Sequence, residues 1–246
     1  MWTDVADLHA FYASPTGRMA QRLIRRKLRQ MWPSVGGATV LGFGYATPYL
    51  HRFQSEAVRV CALMPPQQGI LQWTVDGKVA VGLADETLFP LPDRSIDRLL
   101  LIHAIEASEA LRPMLAECWR VLADGGRMIV VAPNRRGIWA RLERTPFGQG
   151  RPFSEGQIRR LLRETQFTPV RSEAALFAPP VRRRMILSTA NAWERIGERW
   201  LGLIAGVTLT EATKQVYSAV ALPARSPFRI LPAPVRPAAA REPASD

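Results

Sequence analysis

Asp85-Glu86-Thr87-Leu88-Phe89-Pro90-Leu91-Pro92-Asp93-Arg94-Ser95-Ile96-Asp97-Arg98-Leu99-Leu100-Leu101-Ile102-His103-Ala104-Ile105-Glu106 decides the fold. An acidic pair opens the stretch, two prolines and an Asp-Arg turn follow, and the chain then enters an apolar run that stops at a histidine. Ile96 to Ile102 is short and bounded by turn residues, which predicts a strand rather than a helix. Leu99 to Ile102 has no apolar–polar alternation, so both faces of that strand must be covered. That is the condition of a strand in a parallel sheet flanked by helices.

Outward from this stretch the same signal recurs. Ala38–Phe43 (ATVLGF), Val58–Leu63 (VRVCAL) and Arg127–Ala132 (RMIVVA, after the turn Asp124-Gly125-Gly126) are further apolar runs. Helices are predicted between them: Pro48 to about Glu56, Leu111 to Leu122, and Ser154 to about Thr165. In the last, Ser154 and Gln157 form a capping box. Two more strands are predicted near Val170–Phe177 and Gly206–Ala212. Ahead of the first run, Asp4–Tyr12 and Gly17–Trp32 read as helices. The second places Met19, Leu23, Leu28 and Met31 at helical spacing, with arginines filling the rest. Alternating strands and helices predict an α/β chain with a doubly wound, Rossmann-like, mostly parallel seven-stranded sheet.

Length and composition agree with one such domain. The chain has 246 residues, 47% apolar and 22% charged, which excludes a disordered chain, a coiled coil and a disulfide-stapled mini-protein. Three parts are expected: an N-terminal helical cap (1–35), the α/β domain (36–221), and a disordered Pro/Ala/Arg-rich tail (222–246) in which proline blocks regular structure. The net charge is +12, but three lysines stand against thirty arginines. That skew spreads arginine everywhere rather than onto one nucleic-acid surface. Cys61 and Cys118 lack ligand-like spacing, so no metal site and a reducing, cytoplasmic compartment are expected. No signal peptide is read at the N-terminus, and the apolar stretch Trp200–Leu209 is about half the length of a membrane span.

In such a sheet a ligand lies beyond the carboxyl ends of the strands, beside the first strand–helix turn. That turn is Leu41-Gly42-Phe43-Gly44-Tyr45-Ala46-Thr47-Pro48, where Gly44 admits close backbone approach, Thr47 reads as the helix cap and Pro48 as a first helical residue. Together with Asp85–Glu106 and the later Trp119-Arg120-Val121-Leu122-Ala123-Asp124-Gly125-Gly126-Arg127 and Pro133-Asn134, the chain resembles the class I S-adenosylmethionine-dependent methyltransferases of the type 11 branch, over residues 38–167. The resemblance implies S-adenosyl-L-methionine as cofactor. It also implies Gly42, Gly44 and Tyr45 in the glycine loop, Asp85 as acceptor of the adenine amino group, Glu86 beside it, and His103 on the cofactor floor. The chain departs from the family pattern at Gly42, where the family has an acid, at Ala46 and Pro48, where it has glycines, and at Ala62, where it has the ribose-binding acid. Gln67 or Gln68 is the neutral replacement for that acid.

Methyl transfer is an in-line displacement in which alignment dominates, so no universal catalytic residue exists to be read. His103 and Glu106 are the candidate bases for an oxygen or nitrogen acceptor. Arg135, Arg136, Arg141, Arg144 and Arg151, in the connection after the fourth apolar run, suit an anionic small-molecule acceptor or are a solvated loop. Trp139, Phe147 and Phe153 form a lid there or simply pack. Three readings follow: a methyltransferase with an unidentified, small-molecule acceptor; a catalytically inactive methyltransferase-fold binding or regulatory protein; and, least favoured, a nucleic-acid-binding protein using the basic N-terminal helix.

Overall fold

Both N-terminal helices begin on side-chain caps. Asp4 accepts from the Ala6 amide at 2.7 Å to start α1 (Val5–Ala13), and Ser14 accepts from the Gly17 amide at 3.0 Å to start α2 (Pro15–Met31). Pro15 opens α2 where its missing N–H costs no hydrogen bond. Met19, Leu23, Leu28 and Met31 are buried, as their spacing predicts. Arg18, Arg22 and Arg29 stay outside. The computed structural model describes residues 2–180, 193, 194, 197 and 204–214. The expected tail 222–246 and residues 200–203 of the late apolar stretch lie outside the described residues.

The sheet is built from β1 (Thr39–Gly44), β2 (Arg59–Met64), β5 (Val81–Leu83), β6 (Ile96–Ile102), β7 (Leu122–Pro133), β8 (Phe167–Ala175) and β9 (Val207–Lys214), in the order β5-β2-β1-β6-β7-β9-β8. The first five pair in parallel, and β9 enters antiparallel between β7 and β8. This is the expected doubly wound, mostly parallel seven-stranded sheet. A separate hairpin, β3 (Thr74–Val75) with β4 (Lys78–Val79), turns at Asp76-Gly77, both at positive φ (49° and 74°) as a type I′ turn requires.

Strand residues alternate between two cores. Val40, Leu100, Ile102 and Ile129 join α2, while Leu41, Phe43, Leu99 and Leu101 join α4 (Leu111–Val121) and α5 (Glu155–Glu164). The Ser154–Gln157 capping box is present on α5. Glu211, on β9, is fully buried and receives the Trp32 indole N–H at 3.0 Å and the Arg171 Nε at 2.8 Å. A buried carboxylate with these donors pins the end of α2 to the sheet; removing one partner of such a pair costs about 3–5 kcal/mol. Met1–Val216 form one compact unit, so α1 and α2 share the core of the sheet.

Three expectations shift. The helix after β1 is short: α3 (Thr47–Leu50) gives way to a 3₁₀ turn (His51–Phe53), and Glu56 beyond it pairs with Arg29 of α2 and the Val35 amide. Ala46, not Thr47, stands at its N-cap, without a side-chain bond. β7 begins at Leu122, and Asp124-Gly125-Gly126 is a bulge within it, where the pairing jumps from Ile96↔Leu122 to Arg98↔Arg127. The hairpin and three-residue β5 carry too few residues to give a periodic signal.

Candidate functional site

β1 and β6 end side by side, and their last residues shape the site. Gly44 pairs with Ile102 at φ 80°, and a Cβ there would overlap the Ile102 carbonyl oxygen, so only glycine fits. The Tyr45 amide donates to that same oxygen at 2.9 Å. Gly42 lies farther back. A Cβ on it would stand 2.6 Å from Ala46 Cβ and 2.7 Å from a Leu50 methyl, so it sets how closely α3 packs. Gly44 and Tyr45 therefore lie at the strand end, and Gly42 faces α3.

His103 follows β6 at φ 52°, unusual for a non-glycine residue and typical of positions held by their surroundings. Its Nε2 lies 2.7 Å from the Tyr12 hydroxyl, and its Nδ1 lies 3.2 Å from Glu106 Oε1. The Tyr49 hydroxyl donates to Tyr12 at 2.8 Å. With Tyr49 donating to Tyr12, the Tyr12 proton points to Nε2, which leaves the ring proton on Nδ1 toward Glu106. A buried chain thus runs Tyr49, Tyr12, His103, Glu106. Burial pushes the Tyr12 and Tyr49 phenols well up and Tyr45 up to about 12, so all three stay protonated. Tyr12 stacks on Tyr45 with centroids 5.6 Å apart, and His103 lies 4.9 Å from the Phe147 ring.

Toward β2 and β5 the site is polar beneath and aromatic above. Asp85 is exposed and accepts from the Thr87 amide at 2.8 Å and the Thr87 hydroxyl at 2.6 Å, which hold its carboxyl below the usual range. Glu86 is buried. Its Oε1 accepts from the Glu109 and Ala110 amides at 3.1 and 2.9 Å, tying the loop after β5 to the loop after β6, while Oε2 has no partner. Gln67 is exposed, whereas Gln68 is 1% exposed with both amide atoms unpaired. The Ser108 hydroxyl and Glu106 Oε2 are likewise buried without a partner, and Glu106 Oε1 has the ionic contact to His103 Nδ1 at 3.2 Å but no hydrogen bond of good geometry. Over this floor runs a strap, Trp2–Asp4. The Trp2 ring packs edge-on against Phe43 at 6.0 Å, the Thr3 hydroxyl donates to Gln149 at 2.8 Å, and the Val5 amide donates to the Gln68 carbonyl at 2.8 Å.

The connection after β7 is structural where it is buried. Asn134 holds the start of β9 through the Ala205 and Gly206 carbonyls, at 2.9 Å each. Trp139 and Phe147 are buried and pack together, with the Trp139 indole N–H donating to the Ala178 carbonyl at 2.9 Å. Arg135, Arg136, Arg141, Arg144 and Arg151 are exposed. Sequence reasoning missed Trp2, Tyr12, Tyr49 and Ser108. Composition held one cue, since three of the chain's four tyrosines gather at His103.

A floor of orphaned acceptors and amides at the ends of β2, β5 and β6 fits a ligand rich in amine, hydroxyl and carboxylate groups, because such groups are rarely buried unpaired. S-adenosylmethionine is such a ligand. Glu86 and Gln68 would hold its donors, with Gly44 and Tyr45 at the strand end.

The sheet order and the site at its carboxyl edge define a class I methyltransferase fold. Residues 40–130 match the family model described as Methyltransferase domain. In domain match and fold, the chain is similar to the class I S-adenosylmethionine-dependent methyltransferases. Among solved structures it is similar to an S-adenosylmethionine-dependent methyltransferase of Thermotoga maritima, with 16% identity over 86% of this chain and 96% of that one and a TM-score of 0.60. A chain in the complex of the Haloferax volcanii Trm112 methyltransferase activator with its methyltransferase has 16% identity over 88% and 100%, with a TM-score of 0.61. The [4+2]-cyclase SpnF has 18% identity over 80% and 81%, with a TM-score of 0.54. No curated protein matches the sequence. No helix among the described residues is long and apolar enough to cross a membrane.

Proposed function

We propose that the protein methylates an oxygen or nitrogen of a small-molecule acceptor, with His103 as base and Glu106 orienting it. The observation that carries this reading is His103 held at positive φ between Tyr12 and Glu106, all three buried. The bound cofactor supplies an electrophilic methyl group on a sulfonium. The acceptor O–H or N–H takes the place of the Tyr12 hydroxyl beside Nε2, His103 receives the leaving proton there, and the Glu106 carboxylate stabilises the resulting imidazolium through Nδ1–H. With the cofactor bound, Gln68 would stand in for the absent ribose acid, Asp85 and Glu86 would serve its adenine, and the aromatic cover would exclude water. The exposed arginines after β7 suit an anionic acceptor.

Calorimetry with S-adenosylhomocysteine tests the cofactor half. Binding below about 100 µM is expected, weakened about tenfold or more in Gln68→Ala, the order of one lost hydrogen bond in a buried site. Absence of heat up to millimolar ligand from folded protein would sink the reading and leave the fold as a binding module. With an acceptor found by screening labelled cofactor, His103→Ala should lower kcat about 10²–10⁴-fold while KM moves far less.

A further inference from the structure

A second site lies on the far side of Tyr49. The outward face of α2 and the turn after α3 enclose a groove of about 830 Å³. Six arginines line it: Arg18, Arg22, Arg25, Arg26, Arg29 and Arg52. The acid among its lining residues is Glu56, and Arg29 takes it at 2.6 Å. Arg25 is turned inward onto the Pro48 carbonyl. Among the described residues, no carboxylate pairs with Arg22 or Arg52. Burial lowers the Arg25 pKa, and nearby Arg52 lowers it further, so like charges crowd at this end of the groove.

The arrangement selects among anions. Arg18, Arg22, Arg25 and Arg29 stand at i, i+4, i+7 and i+11, a single helical stripe about 16 Å long. The opposite stripe of α2 is committed to the core, so the helix has no apolar face to insert into a bilayer. Of the aromatic lining residues, Tyr49 and Phe53 are 1% and 2% exposed, and the exposed His51 ring is met edge-on by Trp73 at 6.0 Å, so the groove offers no large open ring face for stacking a base. The volume falls in the range of small-ligand sites, roughly 300–1,000 Å³. Guanidinium forks match phosphate oxygens two at a time.

We propose that this groove binds a small ligand carrying two or more phosphate groups, at a site separate from the one at the strand ends. The proposal does not depend on what the strand-end site binds.

The test is calorimetry of the full chain with inorganic tripolyphosphate at about 50 and 200 mM salt, beside a 12-nucleotide RNA and phosphatidylserine–phosphatidylcholine vesicles. One-to-one tripolyphosphate binding is expected, weaker at the higher salt. Arg22→Gln/Arg52→Gln should reduce it at least about tenfold, since each arginine loses charged hydrogen bonds, with the melting temperature unchanged. The control pair Arg135→Gln/Arg141→Gln removes the same charge elsewhere and should keep the affinity. Equal loss in the control would reduce the effect to general charge attraction and overturn the site. Silence with tripolyphosphate up to millimolar would overturn it too. Tighter binding of the RNA, or of the vesicles, that the groove variant abolishes would replace the small ligand with that polyanion.

Discussion

At the scale of single residues, the departures from the family pattern have local causes. The family's acid in the first motif is Gly42 here, and the structure leaves no volume for it. Any Cβ would meet Ala46 and Leu50 at 2.6 and 2.7 Å. The glycine and the alanine are one packing solution, in which α3 lies against β1. Restoring the acid should therefore harm the protein. Gly42→Asp adds bulk to a full core, costing about 1–3 kcal/mol, and buries a carboxylate with no paired cation, which adds to that loss. Urea unfolding should show a total loss above about 2 kcal/mol, and S-adenosylhomocysteine affinity should not rise. A variant as stable as the wild type would show that α3 can retreat. Gln68 shows the opposite case. Its buried, unpaired amide suits the proposed neutral replacement for the ribose acid, whereas nothing in the sequence separates it from the exposed Gln67.

At the scale of elements, the turn between β5 and β6 is held by α4. Glu117 accepts from the Phe89 amide at 2.7 Å and from Arg120 Nε and Nη2 at 2.9 and 2.6 Å. Arg120 then donates to the Leu91 and Phe89 carbonyls at 2.9 and 3.0 Å and reaches Asp93. The proline-punctuated stretch that decides the fold is thus clamped by an i,i+3 pair on the next helix. Hydrogen bonds from Arg120 hold the Glu117 carboxyl below its usual range. A carboxyl with a depressed folded pKa contributes fully above its unfolded value, about 4.3. The contribution fades as pH falls through the lower folded value. Glu117→Gln should lower stability at pH 7 by about 1–3 kcal/mol and flatten the loss below about pH 4, read from unfolding midpoints across pH. An acid limb as steep as in the wild type would place the titrating group elsewhere. Strands of six or more residues, α4 and the capped α5 were legible because periodicity and capping act locally. The early end of α3 was not, because the residues that follow it pack against a partner distant in sequence, with Glu56 held by Arg29.

At the scale of the whole molecule, the N-terminal segment becomes part of the site. The Asp85–Glu106 stretch showed where a cofactor floor would run, and His103 and Glu106 could be picked from their place after a strand. The cover could not. Trp2, Tyr12 and Tyr49 carry no motif and reach the strand ends only through the packing of α1, α2 and α3, so their roles exist only in the folded chain. The strap Trp2–Asp4 crosses the ends of β1 and β2, held by one backbone bond, one side-chain bond and the buried Trp2 ring. Ligand entry by that route requires the strap to open. Burying a large apolar side chain stabilises by about 1.5–3 kcal/mol, so Trp2→Ala should raise the open population about 10- to 100-fold, one tenfold step per 1.4 kcal/mol. Hydrogen exchange at the Val5 amide should accelerate by that factor. Stopped-flow association of S-adenosylhomocysteine should accelerate with it, while the global unfolding midpoint changes little, because the strap opens as a local unit. Faster exchange at Val5 with unchanged association would show that ligand enters elsewhere. Unchanged exchange would show that the strap is held by its two hydrogen bonds rather than by the indole.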